Sequence, residues 1–101
     1  MAVVYEVTVH ARSAIADAFL AWLRQHITMI LALPGFEAAE LHALDAASAD
    51  ESSWCVRYRL RDRVALDDYL REYAPRMRAD GIERFGDAFR AERRILTPMD
   101  I

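Results

Sequence analysis

The sequence lacks lysine and is poor in cysteine and glycine. All 13 basic residues are arginine, Cys55 is the only cysteine, and there are three glycines in 101 residues. A single thiol excludes an internal disulfide and a zinc site built on cysteines, and so few glycines leave no glycine-rich phosphate loop. The 16 acidic residues give a net charge of −3. No overall basic field therefore attracts nucleic acid or an anionic membrane, and we expect neither as a partner.

Long hydrophobic runs are also missing. The longest stretch without Asp, Glu or Arg is residues 25–36, well short of the ~20 residues that a membrane-spanning helix requires. The N-terminal segment carries Glu6 and no basic region of the kind that begins a secretory signal. With 54% hydrophobic and 29% charged residues, the composition is that of one soluble domain over residues 1–101, and we expect it to be cytoplasmic.

The hydrophobic pattern predicts four strands and two helical regions. Strands are expected at residues 3–10, 36–44, 54–61 and 88–96, and helices at 14–32 and from 62 to about 86. Ser13 and Asp62 are predicted N-caps, residues 45–53 a loop, and Pro75 a kink or a break between two short helices. The order β-α-β-β-α-β is the ferredoxin-like unit. Right-handed crossovers then put both helices on one face of a four-stranded antiparallel sheet.

The first helix is apolar on two sides. We predict that the stripe Ile15, Phe19, Trp22, His26, Met29, Ile30 and Leu33 packs on the sheet. A second ridge, made of Leu20, Ile27 and Leu31, would then be left exposed. Such a ridge predicts a partner subunit or another docked protein.

The sheet face without helices is predicted to be polar and rich in arginine. Glu6 on the first strand is expected to meet Arg57 or Arg59 on the third, because these two strands are central neighbours in the ferredoxin-like order. Two interpretations stay open. The charges form a solvated or subunit-facing network of ion pairs, or the arginines line a pocket for a carboxylate or phosphate.

His26 is the candidate catalytic residue, with Trp22 beside it on the same helix. A polar ring inside an apolar stripe needs a partner. It is either a hydrogen-bonded core histidine or a general base or ligand. No two histidines have metal-ligand spacing on one helix, so we predict no metal site and no cofactor.

Several segments together resemble a small bacterial family of domains of unknown function. The segments are residues 22–27, 34–36, 73–78, 83–86 and 93–96. The family pattern has proline where this chain has Thr28, and leucine where it has Met77. The family is similar to the dimeric α/β-barrel proteins, in which two ferredoxin-like sheets pack their uncovered faces together. This resemblance implies a homodimer.

The function predicted from the sequence is binding of a small anionic or aromatic molecule, with Trp22, His26, Glu6, Arg57 and Arg59 as candidate ligand-binding residues. Relatives in the barrel group include cofactor-independent monooxygenases, so an enzyme of that type is the first alternative. A structural or regulatory module that docks through the Leu20, Ile27 and Leu31 ridge is the second. The fold alone does not decide among them.

Overall fold

The computed structural model describes residues 1–45 and 48–101. Its strands and helices, in chain order, are β1 (Val3–Arg12), α1 (Ala16–Leu31), β2 (Phe36–Ala43), β3 (Glu51–Leu60), α2 (Arg63–Glu72), α3 (Ala74–Phe85) and β4 (Phe89–Leu96). The predicted element order is confirmed, with the second helical region divided in two. The loop predicted at 45–53 is shorter, because β3 begins at Glu51, and Ala46 and Ala47 lie outside the described residues.

One antiparallel sheet contains all four strands, in the order β2-β3-β1-β4. Glu6 in β1 lies opposite Arg57 in β3 and opposite Arg94 in β4. Arg57 in turn lies opposite Glu40 in β2. A row of alternating charges therefore crosses the whole sheet on the face away from the helices. This is the predicted ferredoxin-like fold, and no helix of the described residues is long and apolar enough to cross a membrane.

The helix boundaries follow local side-chain chemistry in α2 and α3 but not in α1. The Asp62 side chain accepts a hydrogen bond from the Ala65 amide, as predicted for an N-cap. Pro75 lies in the first turn of α3, where its missing N–H is tolerated. The predicted Ser13 cap is wrong. Its hydroxyl donates to the Ala49 carbonyl at 2.9 Å, and a 3₁₀ turn precedes α1.

The orientation of α1 corrects the predicted stripe. Its buried residues are Phe19, Leu23, Ile27 and Ile30, whereas 55% of Met29 is exposed. Ile27 belongs to the core, so the exposed docking ridge is wrong. Both sides of the helix are apolar, and the side made only of phenylalanine, leucine and isoleucine packs more closely on the sheet. His26 therefore lies at the margin of the core and not inside it.

Candidate functional site

A cavity of about 280 Å³ lies between the inner face of the sheet and helices α1 and α3. Strand β1 contributes Tyr5, Val7 and Val9, and α1 contributes Trp22, Leu23, His26 and Ile30. Helix α3 contributes Met77, Arg78 and Ile82, and β4 contributes Phe89, Ala91 and Arg93, among others. The walls are thus largely apolar and aromatic, with a small number of polar groups. This composition is typical of small-molecule pockets.

Trp22 and His26 form one aromatic wall of the cavity. They lie one helical turn apart, and their rings stack with centroids 4.5 Å apart and planes inclined by 24°. The Trp22 indole N–H donates a hydrogen bond of 2.9 Å to an Asp80 carboxylate oxygen on α3. Because the indole nitrogen is anchored, the ring is held in one orientation toward the cavity.

His26 is a cavity histidine rather than the hydrogen-bonded core residue of the first interpretation. Within residues 1–45 and 48–101 the two ring nitrogens of His26 have no hydrogen-bond partner. Neither nitrogen is fully buried, and the ring lines the cavity. Burial lowers the pKa of His26, Asp80 raises it, Arg93 lowers it further, and the net pKa lies below 6.5. The ring is therefore neutral at pH 7 and able to accept a proton.

The shifted pKa of His26 predicts a pH dependence of stability. The unfolded chain takes up this proton near pH 6.5, whereas the folded protein does so only at lower pH. The stability that neutral His26 contributes to the folded protein is therefore fully present above pH 6.5. It decreases as the pH falls toward the pKa of His26 in the folded protein. We expect the free energy of unfolding, from urea denaturation, to fall less between about pH 7 and about pH 5 in His26→Gln than in the unmodified protein. Equal pH slopes would contradict the shift.

Three arginines line the cavity, Arg78, Arg90 and Arg93, and Arg90 is paired with Glu51. Arg78 donates a hydrogen bond of 3.1 Å to the Tyr5 hydroxyl. Burial and the neighbouring Tyr5 raise the pKa of Tyr69 to about 12, although Arg78 and Arg93 both act to lower it. The Tyr69 hydroxyl is therefore neutral at pH 7. The charges of Arg78 and Arg93 both favour its ionised form, but burial outweighs them.

Glu6, Arg57 and Arg59 lie on the opposite face of the sheet and do not contribute to the cavity. Only 3% of Glu6 is exposed, because Arg57 and Arg94 lie over it. Arg57 Nε donates to one Glu6 oxygen at 2.9 Å, and Arg94 Nε donates to the other at 2.7 Å. Arg59 instead pairs with Glu37 at 3.5 Å. The predicted Glu6–Arg57 pair is confirmed, and the predicted alternative with Arg59 is not formed.

The charges on this face form a network rather than an open anion pocket. Burial raises the pKa of Glu6, but the hydrogen bonds and charges of Arg94 and Arg57 outweigh burial and bring its pKa below 4.5. Glu6 is therefore ionised at pH 7. The donors that Arg57 turns toward Glu6 are occupied, which favours the ion-pair interpretation.

Sequence reasoning missed the cavity arginines. The alternation along the last strand that places Phe89, Ala91 and Ile95 on its inner face places Arg93 there as well. That signal was present in the sequence. Arg78 gave no such signal, since it is exposed beside buried Met77 on α3. Among the described residues, no group of three His, Cys, Asp or Glu is arranged to hold a metal ion.

Comparison with known proteins identifies relatives of the fold. Residues 2–99 match DUF4286, a domain of unknown function. Rv0793 from Mycobacterium tuberculosis is 22% identical, with a TM-score of 0.70 over 100% of this chain and 98% of that chain. SnoaB, a cofactor-independent oxygenase from Streptomyces nogalater, is 15% identical, with a TM-score of 0.70 over 100% and 97%. The de novo designed protein Foldit4 is 16% identical, with a TM-score of 0.63 over 98% and 100%.

These matches confirm the resemblance to a family of unknown function and the dimeric α/β-barrel type of fold. No curated protein matches the sequence. The identities to the solved structures are too low to carry more than the fold. A designed protein among them illustrates that this fold does not by itself imply an activity.

Proposed function

Since the chain belongs to the DUF4286 family, whose function is unknown, we propose its function from its own cavity: the protein binds a small aromatic molecule between the sheet and helices α1 and α3. The observation that carries this proposal is the Trp22–His26 stack on a cavity wall. A cavity of about 280 Å³ is slightly smaller than typical ligand pockets, which measure about 300–1,000 Å³. It suits a ligand of one or two rings.

The anchoring of Trp22 supports an aromatic ligand in particular. An indole fixed by the Asp80 hydrogen bond offers a flat surface with little conformational entropy left to lose. Offset or edge-to-face contacts with such a ring contribute about 0.5–1.5 kcal/mol beyond the burial of area. Tyr5, Tyr58 and Tyr69 line the cavity from the sheet and α2. A planar ring would therefore meet aromatic surfaces from more than one element.

Titration with the neutral probe 1-naphthalenemethanol tests this proposal. By isothermal titration calorimetry we expect one molecule bound per chain. Trp22→Leu removes the aromatic wall but keeps an apolar side chain, and we expect about a tenfold weaker affinity from lost stacking and area. Met29→Leu, at an exposed position of the same helix, is the control and should bind normally. No binding, or equal binding by Trp22→Leu, would contradict the proposal.

A cofactor-independent oxygenase is the second candidate function, favoured by the neutral His26 ring at the cavity wall. Such a ring could take a proton from an electron-rich aromatic substrate, which would make the substrate reactive toward oxygen. SnoaB, which is similar in fold, is a cofactor-independent oxygenase. Oxygen uptake with a panel of quinols and anthrones tests the idea. We expect uptake that His26→Gln abolishes without unfolding the protein, and no uptake above the protein-free rate across the panel would contradict it.

The uncovered sheet face supports a homodimer. In the dimeric α/β-barrel fold this face packs against its equivalent, and here it carries the Glu6, Arg57 and Arg94 network. A chain of 11.6 kDa buries a limited share of its surface when it folds alone. Dimerisation would increase the buried apolar surface. Native mass spectrometry should give twice the chain mass. A monomer at micromolar concentration would contradict the dimer.

A further inference from the structure

We propose that the ligand of this cavity is an aromatic carboxylate whose carboxylate group is held by Arg78 and Arg93. This inference rests on the proposed binding of an aromatic molecule and adds its chemical class. The two arginines come from different elements, α3 and β4, and both line the cavity. Both are also exposed to solvent, so a ligand entering the cavity meets them.

Neither Arg78 nor Arg93 forms an ion pair within residues 1–45 and 48–101. Arg57 and Arg94 pair with Glu6, Arg90 pairs with Glu51, and Arg71 pairs with Asp68. In the described part of the chain, no carboxylate lies within 4.0 Å of Arg78 or Arg93. The hydrogen bond from Arg78 goes to the Tyr5 hydroxyl.

The charged residues that line the cavity are all positive. No aspartate or glutamate is among its lining residues. Asp80 lies next to the Trp22–His26 wall, but it accepts a hydrogen bond from the Trp22 indole and lies 3.8 Å from Arg84 Nε. Arg78 and Arg93 are exposed at the edge of the cavity, so their charges are available to a ligand without first leaving a carboxylate of the cavity wall. The cavity is therefore complementary to a negatively charged ligand.

Arg78 and Arg93 line the same cavity, and both act on the same wall residue, Tyr69. Both Arg78 and Arg93 lower the pKa of the Tyr69 hydroxyl against the effect of burial. Arg93 also lowers the pKa of His26. Charges that act on the same hydroxyl can act together on one bound anion, with a neutral hydroxyl as an additional donor.

A carboxylate is favoured over a phosphate by geometry and room. Guanidinium groups bind planar carboxylates through two parallel hydrogen bonds. A planar carboxylate also occupies less space than a tetrahedral phosphate in a cavity of about 280 Å³. The ring would then contact the Trp22 wall while the carboxylate reaches the arginines.

The test compares 1-naphthoate with 1-naphthalenemethanol, which has the same ring system and no charge, by calorimetry on the full chain. We expect 1-naphthoate to bind at least about tenfold more tightly, as charged hydrogen bonds typically provide. Arg93→Gln should reduce this preference to about threefold or less while 1-naphthalenemethanol binds as before. Arg78→Gln should do the same. Arg76→Gln removes a charge from the same helix outside the cavity, and its preference should be unchanged.

Each outcome separates the two proposals. If both probes bind equally, the cavity binds aromatic molecules and the carboxylate inference is wrong. If neither binds, the proposed function and the inference are both wrong. If 1-naphthyl phosphate binds more tightly than 1-naphthoate, the arginines hold phosphate and the stated class is wrong. Circular dichroism of Arg93→Gln and Arg78→Gln checks their folding, and a preference retained by both folded variants would overturn the assignment.

Discussion

Replacing Phe19 with alanine is expected to lower the free energy of unfolding by about 3–5 kcal/mol, the range for a buried aromatic residue. Phe19 is fully buried. Its ring lies 5.0–5.9 Å from the rings of Trp22, Trp54, Phe85 and Phe89. It thereby joins α1, β3, the end of α3 and β4, and its removal leaves a void that these rings cannot fill without moving. Urea denaturation followed by circular dichroism measures the change.

The matched control is Met29→Ala on the same helix. Met29 is 55% exposed, so its truncation should change the free energy of unfolding by less than about 1 kcal/mol. Domains of this size are stable by about 5–15 kcal/mol, so Phe19→Ala alone is expected to leave a marginal fold. A loss below about 1 kcal/mol for Phe19→Ala, or equal losses for both variants, would contradict the described orientation of α1.

Replacing Gly81 with valine is expected to disrupt the cavity wall. A Cβ atom at position 81 would lie 2.9 Å from Trp22 Cη2 and 3.2 Å from Phe89 Cζ. Both contacts are closer than ordinary van der Waals separation, and Trp22 cannot simply turn away, because Asp80 holds its indole N–H. We expect the free energy of unfolding to fall by about 1–3 kcal/mol from overpacking, and 1-naphthalenemethanol to bind at least about tenfold more weakly from lost ring contact.

Ala79→Val is the control for this variant. It introduces the same β-branched side chain at an exposed position of α3, so it reports the helix-propensity cost alone. Its affinity for 1-naphthalenemethanol should equal that of the unmodified protein. Normal binding by Gly81→Val would mean that the displaced Trp22 ring is not part of the binding site.

The sheet was predictable from the sequence because its strands carry clear period-two patterns. Trp54, Val56, Tyr58 and Leu60 alternate with polar residues, and all four are buried in β3. The Glu6–Arg57 pair followed from the strand order of the ferredoxin-like unit, and the observed register confirms it. Two local signals, Asp62 and Pro75, also predicted where α2 begins and where α3 separates from it.

The orientation of α1 was not predictable, because the helix is apolar on two sides. Periodicity alone permits a stripe through Trp22 and His26 as readily as one through Leu23 and Ile27. The choice depends on how α1 packs against the sheet, which is a tertiary property. That rotation of the helix is what converts His26 from an expected core residue into a cavity wall.

The cavity arginines illustrate the same limit. Alternation along β4 places Arg93 on the inner face of the sheet. The cavity that it lines is formed between the sheet, α1 and α3, and the sequence pattern does not predict that cavity. Arg57 and Arg59 were conspicuous in the sequence because they alternate along the clearest strand. Their neighbours, Glu6 and Glu37, occupy them in the folded protein. The alternating arginines of β3 thus belong to a structural network, whereas Arg93 forms no ion pair among the described residues, although its neighbour Arg94 pairs with Glu6.

The central claim is that the cavity, and not the arginine-rich sheet face, binds the ligand. A proton–nitrogen correlation spectrum recorded during titration with 1-naphthoate tests it directly. The chain has two tryptophans, so the Trp22 indole resonance is assigned by its absence in Trp22→Leu. The account predicts that this resonance and the Gly81 and Ala91 amides shift in a saturable way. Saturable shifts confined to the Thr8, Arg57 and Glu92 amides, with an unmoved Trp22 indole, would contradict it.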